Sequence, residues 1–454
     1  MKVKMITLGC KVNQYESEAM LEALLQGGFQ EAGPQEEADV VVVNSCTVTA
    51  TSDQKVRQTL RRAKRENPGA VAVLTGCMPQ AFPEEAAALL DADIVLGNAR
   101  RADLLPRVLE YLSSKQRVVD IAPHENGEKF EKLAVSAFHG RTRAFLKIED
   151  GCDRFCSYCI IPYARGRVRS KSLEDLRAEV AQLGAAGYQE VVLTGINLPA
   201  YGKDIGLHLC DAVEAACEAS GIRRVRLGSL EPEQLTPPVI ARMARQEKLC
   251  PQFHLSLQSG CDETLRRMNR HYTTGEYRQI VRDLRQAFPG CAITTDIMVG
   301  FAGETQEEFE ASLAFAQEMA FAKAHVFAYS RRPGTRAYTM ADQVENRVKE
   351  ERSRRMIAVT KATQQAFLQA QVGQVEEVLF EQQKARGLWE GYTPNYTHVL
   401  LPSGEDLRPG ASRALGGGAG GERSRHPCHR YVKVQGEAVL KSFPLTISPQ
   451  GCRP

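Results

Sequence analysis

Three cysteines within eight residues constrain this chain more than any other feature of its sequence. They are Cys152, Cys156 and Cys159, spaced as C-x3-C-x2-C directly after the apolar stretch at residues 145–148. Three thiolates this close can hold an iron–sulfur cluster, but they are one ligand short of the four that an electron-carrying cluster normally takes. A metal without a full set of protein ligands can bind another group, as catalytic sites do. The loop therefore predicts chemistry at a cluster.

Zinc is the alternative occupant of such a loop. Structural zinc takes four Cys or His ligands, commonly arranged as two pairs, and no Cys or His follows Cys159 closely. The ligand count therefore favours iron–sulfur. Tyr158, between the second and third ligands, is expected to shield the cluster and to present an aromatic face to a bound cofactor; ordinary packing would also explain it.

The bulk properties of the chain indicate its class. Its 454 residues are enough for two or three domains, and its net charge of +3 is too small by itself to indicate a nucleic-acid partner. No apolar run is long enough to span a bilayer, and the N-terminus lacks a signal-peptide core. We expect a cytoplasmic protein without a membrane partner, in which clustered cysteines are metal or catalytic sites before disulfides.

A second cysteine triad is expected in the N-terminal segment. Apolar, β-branched runs at residues 3–7, 40–44 and 71–75 alternate with helical patterns, which predicts an open, parallel α/β sheet; Ser17 is expected to cap its first helix. Cys10, Cys46 and Cys77 each follow one of these strands. Ligands bind beyond the carboxyl ends of such strands, so we expect the three thiols to converge. The alternative, three separate buried cysteines, is less favoured because cores do not require cysteine there.

The rest of the chain predicts two further domains. Strand candidates at residues 144–148, 190–194, 224–227, 253–257, 293–299 and 323–329 alternate with helices, which predicts a partial (β/α)6 barrel with its functional ends at the strand C-termini. Runs at 375–381, 388–392 and 397–401 predict a small all-β module, whereas the glycine-rich run at 415–421 is typical of disorder. His426, Cys428 and His429 lack a fourth metal ligand. The predicted domains are residues 1–122, 138–370 and 372–440.

Four segments together resemble the methylthiotransferases, a family of radical S-adenosylmethionine enzymes. They are the sequences TLGCKVNQYESE from Thr7, NSCTVT from Asn44, TGC from Thr75 and GCDRFC from Gly151. Within the family, Lys11-Val-Asn-Gln-Tyr15 resembles the MtaB-type tRNA enzymes rather than the MiaB-type or RimO-type enzymes. The resemblance covers roughly Lys2 to Asp406. It also implies that the terminal β module, with Tyr392-Thr-Pro-Asn-Tyr-Thr397, is a TRAM-like RNA-binding barrel, although the family pattern is lost past Arg408.

The resemblance implies a reaction and its cofactors. Cys152, Cys156 and Cys159 would hold a [4Fe–4S] cluster that binds S-adenosyl-L-methionine, and Cys10, Cys46 and Cys77 a second [4Fe–4S] cluster that carries the sulfur. The product would be the 2-methylthio derivative of N6-threonylcarbamoyladenosine at position 37 of tRNA, with a flavodoxin- or ferredoxin-like electron donor. The alternatives are an isopentenyladenosine tRNA, a ribosomal protein, or a non-catalytic iron–sulfur protein that binds RNA. No catalytic acid or base is assigned.

Cofactor and RNA contacts are predicted from position. The residues expected to contact S-adenosylmethionine lie near strand C-termini or in the cluster loop: Tyr158, Gly195, Gln258, Ser259, Gly300, Gly303 and Glu304. The glycines among them also suit tight βα turns. Pro199, Ala302 and Ala328 depart from the family pattern. Basic residues at the expected mouth are predicted to contact phosphate, namely Arg165, Arg167, Arg169, Lys171, Arg331 and Arg332.

Overall fold

The computed structural model describes most of the chain. The described residues are 1–33, 35–133, 135, 138, 142–385, 387–404, 407 and, for the backbone, 432–434. They form two compact units, Met1–Gln364 and Gln365–Pro454. None of the helices in this described part is long and apolar enough to cross a membrane. The predicted glycine-rich run at 415–421 and the residues His426, Cys428 and His429 lie outside the described residues.

The strands and helices alternate through the first unit, and the second unit begins on its last helix. The strands are β1 Lys2–Thr7, β2 Gln30–Glu31, β3 Val40–Ser45, β4 Val71–Gly76, β5 Ile94–Leu96, β6 Val118–Asp120, β7 Arg143–Lys147, β8 Glu149–Asp150, β9 Arg169–Ser170, β10 Glu190–Thr194, β11 Arg224–Leu227, β12 Ser229–Leu230, β13 Gln252–Leu255, β14 Ala292–Val299, β15 Lys323–Ala328, β16 Glu376–Ala385, β17 Leu388–Tyr392, β18 His398–Pro402 and β19 Val432–Val434. The α-helices are α1 Lys11–Gln26, α2 Ala50–Glu66, α3 Cys77–Ala81, α4 Pro83–Ala87, α5 Leu104–Ser114, α6 Ile161–Arg165, α7 Leu173–Ala185, α8 Leu209–Glu218, α9 Pro237–Met243, α10 Asp262–Arg267, α11 Thr274–Ala287, α12 Gln306–Met319 and α13 Asn346–Gln371.

The N-terminal sheet is parallel, with strand order β2-β1-β3-β4-β5-β6. Its central strand, β3, is buried throughout, because valines at 40, 41, 42 and 43 meet apolar layers on both faces of the sheet. The strand order reverses at β1, so the neighbouring C-termini of β1 and β3 form the switch point where doubly wound sheets bind ligands. The predicted open α/β sheet is confirmed.

The second part of the first unit is a partial barrel of parallel strands. Strands β7, β10 and β11 form one sheet, and β12, β13, β14 and β15 continue the array as a second. One large apolar core fills it and includes the fully buried Leu193, Phe253 and Phe309. The prediction of a partial barrel of parallel strands is confirmed, and the cysteine loop follows β7 at the C-terminal ends of these strands.

The second unit contains an antiparallel sheet in the order β18-β17-β16-β19. Val378, Phe380, Trp389 and Leu407 form its apolar core. The prediction of a small all-β module after residue 372 is therefore confirmed in its fold class.

One local prediction was wrong. Helix α1 begins at Lys11, directly after Cys10, and not at Ser17. Ser17 is buried inside the helix, where its hydroxyl oxygen accepts hydrogen bonds from Thr7 Oγ1 at 2.7 Å and Asn44 Nδ2 at 3.1 Å. A hydroxyl serves a helix cap or a distant partner equally well, so tertiary contacts decided its use. Side-chain caps do begin later helices: Ser172 accepts from Asp175 N at the start of α7, and Thr305 accepts from Glu308 N at the start of α12.

Candidate active site at two cysteine triads

The first triad lies at the switch point of the N-terminal sheet. Cys10 follows β1, Cys46 follows β3, and Cys77 opens α3 after β4. Burial raises the pKa of the Cys46 thiol to about 11, and the neighbouring Cys77 and Cys10 thiols add to the shift. The ends of β1 and β3 are also in close contact here, since a Cβ atom at Gly9 would lie 3.0 Å from Cys46 Cβ. Three neighbouring strands have brought the three thiols together from positions 67 residues apart in the chain.

Glycine at position 76 makes the approach of Cys46 and Cys77 feasible. Gly76 has φ +100°, and a Cβ atom there would lie 2.5 Å from the carbonyl oxygen of Ser45. No other residue type can combine that backbone conformation with such close contact. The Thr-Gly-Cys sequence therefore has a structural reason, because the glycine lets β4 turn into α3 against the end of β3.

A buried arginine donates to the first triad. Arg165 is fully buried, and its Nε lies 3.3 Å from Cys77 Sγ while its Nη2 lies 3.3 Å from Asn13 Oδ1. The same Asn13 oxygen accepts from Cys10 Sγ at 3.2 Å. Burial raises the pKa of the Cys10 thiol, and the Arg165 charge opposes that rise. Arg165 and Asn13 thus connect two of the three sulfurs.

The second triad occupies the loop between β8 and α6. Gly151, with φ +90°, precedes Cys152, and a Cβ atom at this position would lie 1.9 Å from the carbonyl oxygen of Arg167. The loop closes through backbone hydrogen bonds from Cys152 N to Gly166 O at 3.0 Å and from Cys159 N to Cys156 O at 2.9 Å. Burial, and then the Cys156 thiol, raise the pKa of Cys159 to about 12.

A second buried arginine serves this triad. Arg270 Nη1 donates to Cys156 Sγ at 3.4 Å, and Nη2 donates to Glu231 Oε2 at 2.5 Å and to Ser256 O at 3.0 Å. Each triad therefore has one guanidinium donating to one of its sulfurs. Sequence reasoning missed this feature: Arg165 was interpreted as a phosphate contact, and no local pattern marks Arg270.

The donor sets suit iron–sulfur clusters better than single ions. In the described part of the chain, no three His, Cys, Asp or Glu side chains are close enough to hold one metal ion. A [4Fe–4S] cluster places its thiolate ligands on different iron atoms, so they stand farther apart. Hydrogen bonds to sulfur are among the contacts that tune such clusters. Two sets of three thiols, each with an arginine donor, fit two clusters with an open iron.

The predicted cofactor residues fall into separate groups. Gly195 follows β10 and lies against Glu149, whereas Gly300, Gly303 and Glu304 share the turn after β14. Glu304 is buried there and engaged within the protein, since its Oε1 accepts from Gly300 N at 2.9 Å and from Arg352 Nη1 at 2.6 Å. This gives Glu304 a turn-stabilising role, and its contact with S-adenosylmethionine stays a prediction.

Gln258 has the features of a ligand-binding side chain. It follows β13 in a left-handed conformation, with φ +65°, and its backbone bridges to β14 through Gln258 N to Asp296 O at 2.9 Å. Its buried Oε1 has no hydrogen-bond partner, and Ser259 beside it is buried. Buried polar atoms are nearly always hydrogen-bonded, so an acceptor without a partner indicates a place for a polar group of a ligand.

Tyr158, the predicted aromatic contact in the cluster loop, packs edge-on against Phe301, with 6.3 Å between the ring centres.

Glu149 is a further candidate residue of the active site, and the sequence analysis did not identify it. It is fully buried three residues before Cys152, and burial raises the pKa of its carboxyl group well above the usual range. Its Oε2 accepts from Asn197 N at 2.7 Å, whereas its Oε1 has no partner. The sequence could have indicated Glu149, because it is an acidic residue directly after an apolar strand and next to the cluster loop.

The predicted phosphate contacts are wrong for most of the basic residues. Arg165, Arg169, Lys171 and Arg332 are buried and paired with carboxylates, and Arg167 is the member of the 165–171 group whose side chain is largely exposed, at 72%. Glu16 lies at the centre of this buried network. Burial by itself would raise the pKa of Glu16, but Arg101, Arg165 and Lys147 lower it to about 2. Arg165, Arg169, Lys171 and Arg332 thus neutralise carboxylates within the protein and are not exposed to an RNA phosphate.

Comparison with known proteins identifies two family regions. Residues 2–97 match the uncharacterized protein family UPF0004, and residues 146–316 match the radical SAM superfamily. The chain is 39% identical over 407 residues to threonylcarbamoyladenosine tRNA methylthiotransferase MtaB of Bacillus subtilis, covering 88% of this chain and 90% of the relative. The Thermotoga maritima protein of the same name is 38% identical, covering 87% and 90%.

Related enzymes and structures widen the comparison. The tRNA-2-methylthio-N(6)-dimethylallyladenosine synthase of Pelotomaculum thermopropionicum is 36% identical, covering 85% of this chain and 88% of that protein. Among solved structures, the radical S-adenosylmethionine methyltransferase TsrM of Kitasatospora setae matches with a TM-score of 0.57 at 16% identity, covering 74% of this chain and 77% of TsrM. That structural likeness supports the fold alone. The identities to the methylthiotransferases carry the assignment: this chain belongs to the methylthiotransferase family of radical S-adenosylmethionine enzymes.

Proposed function

We propose that this protein is a tRNA methylthiotransferase acting on N6-threonylcarbamoyladenosine at position 37, beside the anticodon. The observation that carries the proposal is a pair of cysteine triads in one compact unit, in a chain 39% identical to an MtaB enzyme. Two incomplete sets of thiolate ligands leave two open metal positions, which suits a reaction with two distinct tasks. An electron-carrying protein would have no use for either open position.

The chain's own residues divide between these tasks. Cys152, Cys156 and Cys159 would hold the cluster that binds S-adenosylmethionine, and Cys10, Cys46 and Cys77 the cluster that carries the sulfur. When bound, these groups supply a 5′-deoxyadenosyl radical and a methylated sulfur. Gln258 offers a free buried acceptor to the cofactor, and the Tyr158 ring lies within the cluster loop. Arg165 and Arg270 hold positive charge at one sulfur of each triad.

The proposal includes partners and a location. The reaction requires a low-potential electron donor, which we expect to be flavodoxin- or ferredoxin-like. The second unit, with its antiparallel sheet, would act as the TRAM-like RNA-binding module. The base at position 37 is in a single-stranded loop, and unstacked bases of this kind are what RNA-modifying enzymes can draw into a site. We place the protein in the cytoplasm because its proposed substrate is there.

Dimethylallyl-type adenosine is the second candidate substrate, because a relative named for that reaction is 36% identical to this chain. The Lys11–Tyr15 sequence favours the threonylcarbamoyl substrate by resemblance. Its side chains act structurally: Asn13 and Tyr15 are buried, and the Tyr15 hydroxyl donates to Leu133 O at 2.6 Å. The segment is therefore a marker of the subfamily, and substrate choice must be tested directly.

Mass spectrometry of tRNA nucleosides tests the proposal. The chain is expressed in cells that lack their own methylthiotransferases, with an inactive Cys152→Ala variant as control. We expect 2-methylthio-N6-threonylcarbamoyladenosine with the unaltered chain and none with the variant. A 2-methylthio derivative of a dimethylallyl-type adenosine would instead support the second candidate. If neither nucleoside forms while purified, reduced protein cleaves S-adenosylmethionine, tRNA is not its substrate.

A further inference from the structure

Two exposed aromatic rings contact each other beside the cluster loop. Phe155 and Tyr163 are 48% and 54% exposed, and their rings meet edge to face with centres 5.8 Å apart. Among the described residues, they are the exposed aromatic side chains that pack against one another. Contiguous exposed apolar side chains are a more specific sign of a binding surface than single ones scattered over a protein.

The protein holds Phe155 outward at a conformational cost. Phe155 has φ +48°, in the left-handed region that bulky residues rarely adopt. Asn269 Nδ2 maintains this conformation by donating to the carbonyl oxygens of Phe155, at 3.0 Å, and of Arg154, at 3.3 Å. Strained backbone that the surroundings hold in place is concentrated at functional sites.

Tyr163, the second ring of the pair, is also held in place by its neighbours in the protein. It lies on α6, between the buried Pro162 and the buried, ion-paired Arg165. Its neighbours on the helix are therefore anchored in the protein interior while its ring projects into solvent. Asn269 holds the backbone at Phe155 and buried neighbours hold that at Tyr163, so less conformational freedom is lost when a ligand binds against the rings.

The two rings border a cavity that reaches a cluster ligand. The cavity has a volume of about 430 Å³, and its lining includes Cys152, Phe155, Tyr163, His124 and Arg167. Gln80, on the helix that begins with Cys77, also lines it. The cavity therefore touches Cys152 of one triad and the helix that carries Cys77 of the other. Arg167 lies at the same rim with its side chain 72% exposed, and its Nη1 forms a long ion pair of 3.9 Å with Asp153.

We propose that Phe155 and Tyr163 form a stacking platform for a nucleobase that neighbours the modified adenosine in the RNA loop. The inference rests on the proposed tRNA substrate. In this proposal the cavity that touches Cys152 is the route of the modified base, so the rings at its rim would meet the neighbouring base in the RNA. Aromatic side chains stack on unpaired bases of any sequence, and Arg167 beside them suits the adjoining phosphate.

Equilibrium binding of a labelled RNA hairpin, carrying the anticodon loop of a substrate tRNA, tests the platform. Tyr163→Leu and Phe155→Leu remove one ring each, and we expect either to raise the Kd about tenfold. The matched controls Tyr163→Phe and Phe155→Tyr keep the ring and should stay within about twofold of the unaltered protein. Iron content is measured for each variant, and Tyr163→Leu, outside the ligand loop, carries the test if Phe155→Leu loses iron.

A fluorescent base analogue locates the contact. 2-Aminopurine placed beside the modified position should be quenched on binding to the unaltered protein and to Tyr163→Phe, but not to Tyr163→Leu. If the unaltered protein binds the hairpin and Tyr163→Leu binds it equally well, the platform is wrong and the tRNA assignment stands. Failure of the unaltered protein to bind the hairpin would overturn both. Equal affinity for a fully paired duplex would also overturn the platform, because paired bases cannot stack on it.

Discussion

Arg165 and Arg270 each place a positive charge beside one of the two cysteine triads, at different places in the fold. Each is a buried guanidinium that donates to one cysteine sulfur and is held by carboxylates, Glu16 and Asp150 in the first case and Glu231 in the second. Bringing three thiolates together in a buried site is costly because like charges repel and burial disfavours charge. A fixed cation beside each triad offsets part of this cost and supplies a charge-assisted hydrogen bond.

Replacing Arg165 should shift the reduction potential of the cluster at the first triad. Arg165→Met removes a hydrogen bond and a positive charge near Cys77, so we expect a more negative potential. The measurement is an EPR-monitored redox titration of the loaded protein. Glu16→Gln is the control because it perturbs the same ion network without removing the donor to sulfur. Equal shifts in the two variants would contradict a direct effect of Arg165 on the cluster.

Single cysteine replacements should separate the two sites. Each of Cys10→Ala and Cys152→Ala should lower the iron content of the protein by about four atoms if each triad holds a [4Fe–4S] cluster. Cys152→Ala should abolish S-adenosylmethionine cleavage, whereas Cys10→Ala should retain cleavage and form no methylthio product. Liquid chromatography of 5′-deoxyadenosine and of tRNA nucleosides distinguishes the Cys10→Ala variant from the Cys152→Ala variant. Full product from Cys10→Ala would refute the two-cluster assignment.

At the scale of elements, short turns after parallel strands set the positions of the thiols. β1 leads to Cys10 at the start of α1, and β4 leads through Gly76 to Cys77 at the start of α3. Strands β3 and β4 are buried along their whole length, so the few residues at the end of each strand set the position of the thiol that follows it. This explains why glycines precede three of the six triad cysteines.

Gly76→Ala should damage the first triad selectively. The added Cβ would overlap the Ser45 carbonyl at 2.5 Å in an unfavourable backbone region, so we expect a loss of about 1–3 kcal/mol of stability. Iron content should fall toward one cluster, while S-adenosylmethionine cleavage persists.

The matched control for Gly76→Ala is Gly69→Ala, at a surface turn with nothing within 4 Å of the added atom and no positive φ. Thermal unfolding and iron analysis are compared for both variants. The interpretation fails if both variants behave alike, because only Gly76 lies at the contact between β3 and β4.

At the scale of the whole molecule, buried ion pairs join the N-terminal sheet to the barrel. Arg332, after β15, pairs with Asp53 of α2 at 2.5 Å and donates to Thr47, while its guanidinium lies 4.6 Å from the centre of the Phe82 ring. The Glu16 network makes a second bridge through Lys147 and Arg165. Both bridges involve residues close in sequence to triad cysteines, because Thr47 directly follows Cys46 and Lys147 precedes Cys152 on β7 and its loop.

Breaking one of these buried bridges should lower the free energy of unfolding more than breaking an exposed ion pair does. Asp53→Asn leaves Arg332 buried without its carboxylate, and we expect a loss of about 3–5 kcal/mol of unfolding free energy. Glu318→Gln breaks the Arg278–Glu318 pair, whose side chains are 30% and 46% exposed, and should cost less than about 1 kcal/mol. Urea denaturation midpoints compare the two. Similar midpoints would show that the Arg332 contact does not bind the sheet to the barrel.

Removing the second unit should separate chemistry from RNA binding. The apolar cores around both triads lie within the first unit, and the second unit has a core of its own. A chain ending after Gly373 should keep its iron and cleave S-adenosylmethionine. It should bind tRNA more weakly, with a shallower salt dependence because phosphate contacts are lost. Unchanged tRNA affinity would contradict the RNA-binding role of the second unit.

Much of this architecture was predictable because its signals are local. Four consecutive valines identify β3, and the predicted strands at 190–194 and 224–227 agree residue for residue with β10 and β11. The cysteines could be grouped because each lies at an equivalent place after a strand. Ser17 shows the limit of such reasoning, since its hydroxyl was equally suited to a cap and to distant partners.

Local patterns of apolar residues were thus enough to predict the long parallel strands and the position of each triad cysteine relative to its strand, because each depends on neighbours in the chain. Tertiary structure alone decided which charges face water. Arg165 and Arg167 read alike in sequence, yet Arg165 is buried against Glu16, 149 residues away, while the Arg167 side chain is exposed. The partner of a charge is chosen by the approach of distant elements, and no spacing along the chain records that choice.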